Sequence, residues 1–385
     1  MAFTRAILIF VAVWNASAQR VADPARIPER WKSFERGAGS KLTCRVHPIQ
    51  PRLNLGFRFQ TGYSIEVPMR QYSGAGHWWS VIFRVTPEAK ERDPVWFVSR
   101  RRIPVGAGQK GLAEFGGAYL VGEGRYKVDM LLVDDSDRVC ATGWKMRAKL
   151  NDQVRNARPG MSPGAVDDMS LRRSGHFPSM RDGVESGANV SILMHVAATL
   201  PNRVRLQSYD RMVLMSALGS ILERLPARNV RLTVFNLDQQ KELYRTAELS
   251  STSFHEAIEA LNGLELGTVD YGTLRNRTGH VDLVSELLNR ELAADNRPDL
   301  IIFLGPLAHW TGRVSDEELP SGNLPPLYNI QLRPWRFLPS GLQADTIEST
   351  VRKLGGRTKQ VYSPQDFAEA IQEVERLLST NRARS

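Results

Sequence analysis

What the chain lacks narrows its chemistry first. It holds two cysteines, Cys44 and Cys140, in 385 residues, with no C-x-x-C and no H-x-x-x-H pair. A structural zinc site of the usual four-ligand kind therefore has no ligand set to draw on. Long hydrophobic runs are also missing. The one sustained apolar stretch is "AILIFVAVW", Ala6–Trp14, which is too short to span a bilayer. Acidic residues are fewer than basic ones, 41 against 51, for a formal charge of +10. The excess is spread along the chain, and its densest cluster is "SRRR", Ser99–Arg102. A nucleic-acid protein is expected to carry a basic stripe with interleaved aromatics or a known module. Neither is present, so no specific nucleic-acid partner is expected. The surface reads as basic and solvated, with a weak attraction to anionic envelope polymers or lipids.

The first residues combine a short positive region, "MAFTR", with that apolar run and the small residues "ASA", Ala16–Ala18. This pattern predicts a secretory signal over residues 1–18, cut before Gln19. Export to the periplasm or the cell exterior would permit a disulfide between Cys44 and Cys140. Such a bridge is worth roughly 4 to 5 kcal/mol in the chain-entropy model. Two buried free thiols are the alternative. No cofactor is implied.

Residues 40–150 read as all-β. "GFRFQTGYSIEVPM", "HWWSVIFRVTP", "DPVWFVS", "GRYKVDMLLVDD" and "DRVCATGWKMRAKL" alternate apolar with polar residues and end in Gly, Pro, Asp or Ser. Short bounded strands of this kind predict an immunoglobulin-like sandwich. "DDSD", Asp134–Asp137, is expected to be a hairpin turn, because no further carboxylate follows at calcium-loop spacing. Trp78 and Trp79 should point to opposite faces of one strand. One is expected in the core and the other under a loop, with an exposed binding aromatic as the alternative. "GAGQKG", Gly106–Gly111, matches a dinucleotide fingerprint literally, but "LAEFGGAYLVGEG" follows it where a helix is required. These glycines are read as flexible connections between strands.

Residues 151–187 are polar and turn-rich and read as a linker. Over residues 188–380 strands and helices alternate. "NVSILMHVAA" and "DLIIFLGP" are buried strands, and "YDRMVLMSALGSILERL" and "HVDLVSELLNRELAA" are helices with apolar spacing of three and four. Alternation of this kind predicts a doubly wound α/β domain with a mostly parallel sheet.

The ending, "ADTIESTVRKLGGRTKQVYSPQDFAEAIQEVERLL", and the strand–helix–hairpin order from Asn189 to Leu249 resemble a von Willebrand factor type A domain. "VFNLDQQKELYR" and "FLGP" are similar to secreted bacterial, especially acidobacterial, proteins carrying such a domain. The resemblance implies a divalent-ion site built from Asp-x-Ser-x-Ser after the first strand, a Thr from a second loop and an Asp after the fourth central strand. The matching positions are His195, Ala197 and Thr199, then Thr268, Asp270 and Thr273, then Gly305 and Pro306. Magnesium needs oxygen ligands in near-octahedral array, and an imidazole, a methyl group and a proline ring do not supply them. A degenerate, metal-free site is expected.

Two functions follow. The first is an exported, non-catalytic binding or scaffold protein for a protein or envelope polymer. Its rim at the carboxyl ends of the strands would be His195, Ala198, Thr199, Thr268, Asp270, Gly305, His309 and Trp310. The second is a secreted hydrolase using His280, Asp282 and Ser285. On a helix His280 and Asp282 point about 200° apart, which disfavours a triad. For the exported protein, N-terminal sequencing is expected to start at Gln19, and non-reducing intact mass is expected to show the Cys44–Cys140 bridge. Two alkylatable thiols in native material would refute the bridge.

Overall fold

The computed structural model describes residues 19–23, 31, 40–73, 76–90, 93–102, 111–150, 154, 158–169, 187–200, 203, 206–264, 271–293, 297–308, 310–312, 314–315, 317, 324–334 and 344–382. The expected signal segment and the GxGxxG run before Gly111 lie outside them. The chain divides into two compact units: one from Met1–Leu53, Arg58–Leu150 and Pro159–Ser174, the other from Asn54–Phe57, Asn151–Arg158 and Gly175–Ser385. The first is β-rich and the second is α/β.

Among the described residues the β-rich unit has ten strands: β1 (Arg20–Ala22), β2 (Ser40–Lys41), β3 (Arg45–Leu53), β4 (Phe59–Pro68), β5 (Trp78–Pro87), β6 (Val95–Arg102), β7 (Leu112–Val121), β8 (Gly124–Asp134), β9 (Arg138–Ala148) and β10 (Val166–Asp168). They form a six-stranded sheet, β1-β6-β5-β8-β9-β2, and a four-stranded sheet, β10-β7-β4-β3. All pairs are antiparallel except β2 with β9. Alternate residues of the two sheets share one core: Phe59, Tyr63, Ile65 and Val67 from β4 with Trp79, Val81, Phe83 and Val85 from β5. Phe83 stacks on Phe97 at 4.7 Å and meets Tyr63 edge-on at 5.2 Å.

Cys44 and Cys140 are disulfide-bonded, with Cα atoms 6.1 Å apart, and flank this core. Asp134 ends β8 almost fully buried. Its carboxylate accepts from the Tyr72 hydroxyl at 3.1 Å and from the backbone of Ser136 and Arg138 at 3.0 and 2.9 Å, which makes "DDSD" a hairpin turn. Burial pushes the Tyr72 hydroxyl up to about 12.

Three local readings change, and one strand forms against its prolines. Gly116 and Gly117 are strand residues of β7, not connections. A Cβ on Gly117 would lie 2.6 Å from the Tyr63 hydroxyl, and one on Gly62 would lie 2.2 Å from the Gly117 carbonyl. Close backbone packing therefore requires glycine there. "RVHPIQPRL" forms β3 in spite of Pro48 and Pro51, because β3 is an edge strand and proline costs no ladder bond on a free edge. Val166–Asp168, inside the stretch read as a linker, pairs with β7 as β10. Trp79 is buried as expected, but Trp78 is not under a loop: it is 38% exposed, with the Arg100 guanidinium 4.7 Å above its ring.

The α/β unit contains β11 (Ala188–His195), α1 (Ser208–Arg224), β12 (Ala227–Asn236), β13 (Lys241–Thr246), α2 (Ser251–Asn262), α3 (Tyr271–Arg275), α4 (Gly279–Ala293), β14 (Leu300–Pro306), β15 (Leu327–Leu332), α5 (Thr346–Lys353), β16 (Arg357–Val361) and α6 (Pro364–Arg382). The sheet runs β13-β12-β11-β14-β15-β16, parallel except for β13. Every residue of β14 and β15 is buried, as strands covered on both faces require. Leu193, Ile301, Phe303 and Leu327 meet α4 and α5 on one face. On the other, the Tyr328 hydroxyl donates to Glu373 of α6 at 2.7 Å.

A single carboxylate ties three strands to α4. Glu291, 2% exposed, accepts from Ser191 of β11 at 2.9 Å, pairs with Arg231 of β12 at 3.0 Å and pairs with Arg245 of β13 at 2.7 Å. Removing one partner of a buried pair leaves uncompensated charge. Glu291→Ala is expected to lower the unfolding free energy by about 3 kcal/mol in urea titration. A loss below about 1 kcal/mol would place this network with ordinary surface pairs.

Candidate functional site

In an open α/β sheet, ligands sit outside the carboxyl ends of the strands where the strand order reverses. Here that point lies between β11, ending at His195, and β14, ending at Pro306. The crevice is filled from within. A Cβ on Gly305 would lie 2.4 Å from the His195 carbonyl and 2.8 Å from the His195 Cβ, so only glycine lets the two strand ends come this close. The imidazole is 2% exposed, its Nδ1 is 3.4 Å from the Pro306 carbonyl and its ring centre is 5.5 Å from that of Phe235.

The turn after β11 is equally occupied. Ala197, Ala198 and Thr199 are buried. The Val196 carbonyl accepts from the Asn236 side-chain amide at 2.6 Å. The Thr199 hydroxyl and backbone N–H both donate to Asp210 Oδ1, at 2.6 and 2.9 Å, while Asp210 Oδ2 accepts from the Gln207 backbone at 2.8 Å. Asp210 and Gln207 form the capping box of α1. The one hydroxyl of this turn, Thr199, is therefore committed to closing a helix end. The residues present do not fit a divalent ion: the first position is a buried imidazole, the second a methyl group, and Gly305 and Pro306 bring no carboxylate.

A second cluster lies beyond β14. Asp345, 2% exposed, accepts from the Ala308 N–H at 2.9 Å, the Gln331 side-chain amide at 3.1 Å and the Glu348 N–H at 2.7 Å, the last as cap of α5. Burial raises its carboxyl above the ordinary range, against the pull of these donors. The Trp310 carbonyl accepts from the Thr346 N–H at 3.1 Å and its hydroxyl at 3.2 Å. The Trp310 indole N–H donates to Asp238 at 2.7 Å, and its ring stacks on His280 at 5.0 Å and 28°. The chain then passes the first turn of α4 at Gly312, where a Cβ would lie 2.6 Å from Val281 Cγ2 and 2.8 Å from His280 Nε2. His280 is buried, and that burial lowers its pKa from the ordinary imidazole value, opposed by the Thr311 backbone and the Asp282 charge. Trp310 itself stays 37% exposed. Its ring is thus held from two sides while one part of it reaches solvent.

Of the rim read from sequence, His195, Ala198, Thr199 and Gly305 are packed inside the strand ends, and Trp310 reaches the surface. Thr268, Asp270 and His309 lie outside the described residues. Thr273 is in α3, where its carbonyl accepts from Gln240 at 3.3 Å. The His280, Asp282 and Ser285 set does not converge: His280 and Ser285 are buried, Asp282 is exposed on another side of α4, and the Ser285 hydroxyl accepts from Asn289 at 3.3 Å. A literal G-x-S-x-G run, Gly160–Gly164, occupies a turn before β10 rather than the strand-to-helix elbow that exposes a nucleophile. Sequence reasoning missed Asp210, Asp238 and Asp345. Asp345 carried a signal, since Asp-x-x-Glu before an apolar-spaced segment marks a helix start. Asp238 carried none, because its partner is 72 residues away.

No family model and no curated protein matches the chain. Among solved structures, a superoxide reductase (neelaredoxin) from Archaeoglobus fulgidus in the reduced form aligns at 14% identity. It covers 34% of this chain and 98% of its own, with a TM-score of 0.19. A putative β-galactosidase from Bacteroides fragilis aligns at 9% identity over 76% of this chain and 42% of its own, with a TM-score of 0.21. Likenesses this low transfer neither fold nor activity.

The donor set makes a direct forecast about metal. The melting temperature is expected to be the same with magnesium, with manganese and with chelator, because an ion that does not bind the folded state cannot stabilise it. A clear rise with magnesium would reveal a ligand set other than the one at His195, Ala197 and Thr199.

Proposed function

We propose that this chain is an exported, non-catalytic binding or scaffold protein. In this reading an immunoglobulin-like sandwich is joined to a metal-free von Willebrand factor type A-like domain, and the partner is a protein or an envelope polymer. The strand, helix, strand and antiparallel partner of β11–β13, together with the closing helix, Gly-Gly, strand and helix of α5–α6, support the type A-like reading. The observation that carries the function is Trp310. It stands after the strand that follows the reversal of strand order, pinned by Asp238 and His280, with a free portion at the surface. A rigid, partly exposed indole is the kind of anchor on which binding energy concentrates.

The metal-dependent mode of the family is replaced here by packing. Asp210 and Asp345 spend their oxygens on helix ends and loop amides, so the strand ends serve as scaffold and the aromatic beyond them as contact. The hydrolase alternative would need a nucleophile, a base and an orienting acid in reach of one another, and His280, Asp282 and Ser285 are not so arranged.

With the full mature chain as bait on envelope extract, the captured partner is expected to be retained about thirtyfold less by Trp310→Ala, the size of an interfacial tryptophan hot spot. The melting temperature should fall by only a few degrees, from the lost Asp238 hydrogen bond and His280 stacking, with the cooperative transition retained. Turnover in a broad hydrolase screen, abolished by His280→Ala or Ser285→Ala, would overturn the reading.

A further inference from the structure

The β-rich unit carries an arrangement that its own folding disfavours. In the ladder of β8 with β9, Arg125 stands directly opposite Arg147, and Lys127 directly opposite Lys145. Like charges placed directly opposite in a sheet are destabilising. All four point the same way, because their neighbours Tyr126, Val128, Met146 and Ala148 are buried on the other side. All four are exposed. They form a flat array about 5 Å across and about 7 Å along the strands.

Few counter-charges meet it. Glu88 is 3.9 Å from Arg125, and Asp129 is 3.3 Å from Lys127 but is already held by Arg84 at 2.9 Å. No ion pair joins Lys145 or Arg147 to a carboxylate among the described residues. The next positions of β9 on this face are Gly143 and Ala141, both exposed. Toward the other end of β8 the same face is covered, with Trp31 and Trp96 buried against Ile82, Leu131 and Val133, and exposed Trp78 stands at the far end of β5. Among the described residues of β8 and β9, no exposed aromatic adjoins the array on which a base or sugar could stack.

We propose that this face of the six-stranded sheet docks on a planar anionic phospholipid surface. A flat two-by-two set of cations matches a plane of phosphate headgroups, and the formal charge of +10 adds long-range attraction. The proposal goes beyond the binding role of Trp310 and is independent of it, since that residue belongs to the other unit.

The test is sedimentation of the full mature chain with vesicles. Binding is expected to phosphatidylglycerol-containing vesicles, not to pure phosphatidylcholine, and to disappear at high salt. Lys145→Ala with Arg147→Ala should weaken it about 25-fold, at about fivefold per cation. The same pair should melt at the same temperature or higher, because it relieves two like-charge contacts. Lys127→Gln alone should weaken binding about fivefold. Arg45→Ala with Arg352→Ala removes equal charge elsewhere and should leave binding close to that of the unsubstituted chain. Equal losses from the two double variants, equal binding to both vesicle types, or binding to dextran sulfate without binding to vesicles would each overturn the proposal. Trp310→Ala should leave vesicle binding intact, which separates this surface from the one that captures a partner.

Discussion

β11 is buried on both faces along nearly its whole length, and the α/β unit is organised around that constraint. A strand with no access to water must have its backbone groups paired inside the sheet. It therefore needs a neighbour on each edge, and β12 and β14 supply them in parallel register from Val190 onward. Parallel neighbours need long crossovers, and the crossovers are the helices that bury its two faces. The one hydroxyl placed mid-strand, that of Ser191, is satisfied by Glu291, which recruits Arg231 and Arg245 and so locks β12 and β13 to α4.

The same demand governs the strand ends. Where β11 and β14 leave the sheet, backbone amides and helix ends need partners, and the side chains nearby are used for that purpose. Asp210 serves Thr199 and the start of α1, Asn236 serves Val196, and Asp345 serves Ala308, Gln331 and the start of α5. An ion could provide comparable order, and its expected position is instead closed by Gly305 against His195. Internal capping thus uses the side-chain oxygens near the ends of β11 and β14. Among the described residues of this rim, Trp310 stands one layer out and reaches solvent.

In the β-rich unit the inward faces follow packing alone, with aromatics meeting at 5.2 and 5.3 Å across the two sheets and at 4.7 Å within one. The disulfide joins Cys44 and Cys140 across a sequence separation of 96 and restricts the unfolded chain between them. The outward face of the six-stranded sheet packs at one end, where Trp31 and Trp96 cover Ile82, Leu131 and Val133. At the other end it is exposed, and there the cations of β8 and β9 can be arranged against one another at a cost the core tolerates.

Periodicity along the chain determined the elements themselves. Alternation in "YSIEVP" and "VIFRV" and the three–four spacing in "LMSALGSILERL" follow from which side of each element must be dry, so they are local properties of sequence. The order of elements determined a β-rich part followed by an α/β part, and the residue types at His195, Ala197 and Gly305 determined that these three side chains bring no oxygen. Tertiary structure alone decided the rest. Whether Trp78 or Trp310 meets solvent depends on Arg100, Asp238 and His280, which no local pattern brings near. Arg125 faces Arg147 only through the register of two strands, and a shift of one residue would send those side chains to the opposite face. Burial, pairing and exposure at a site depend on distant segments meeting, and that meeting is a property of the packed chain rather than of any stretch of it.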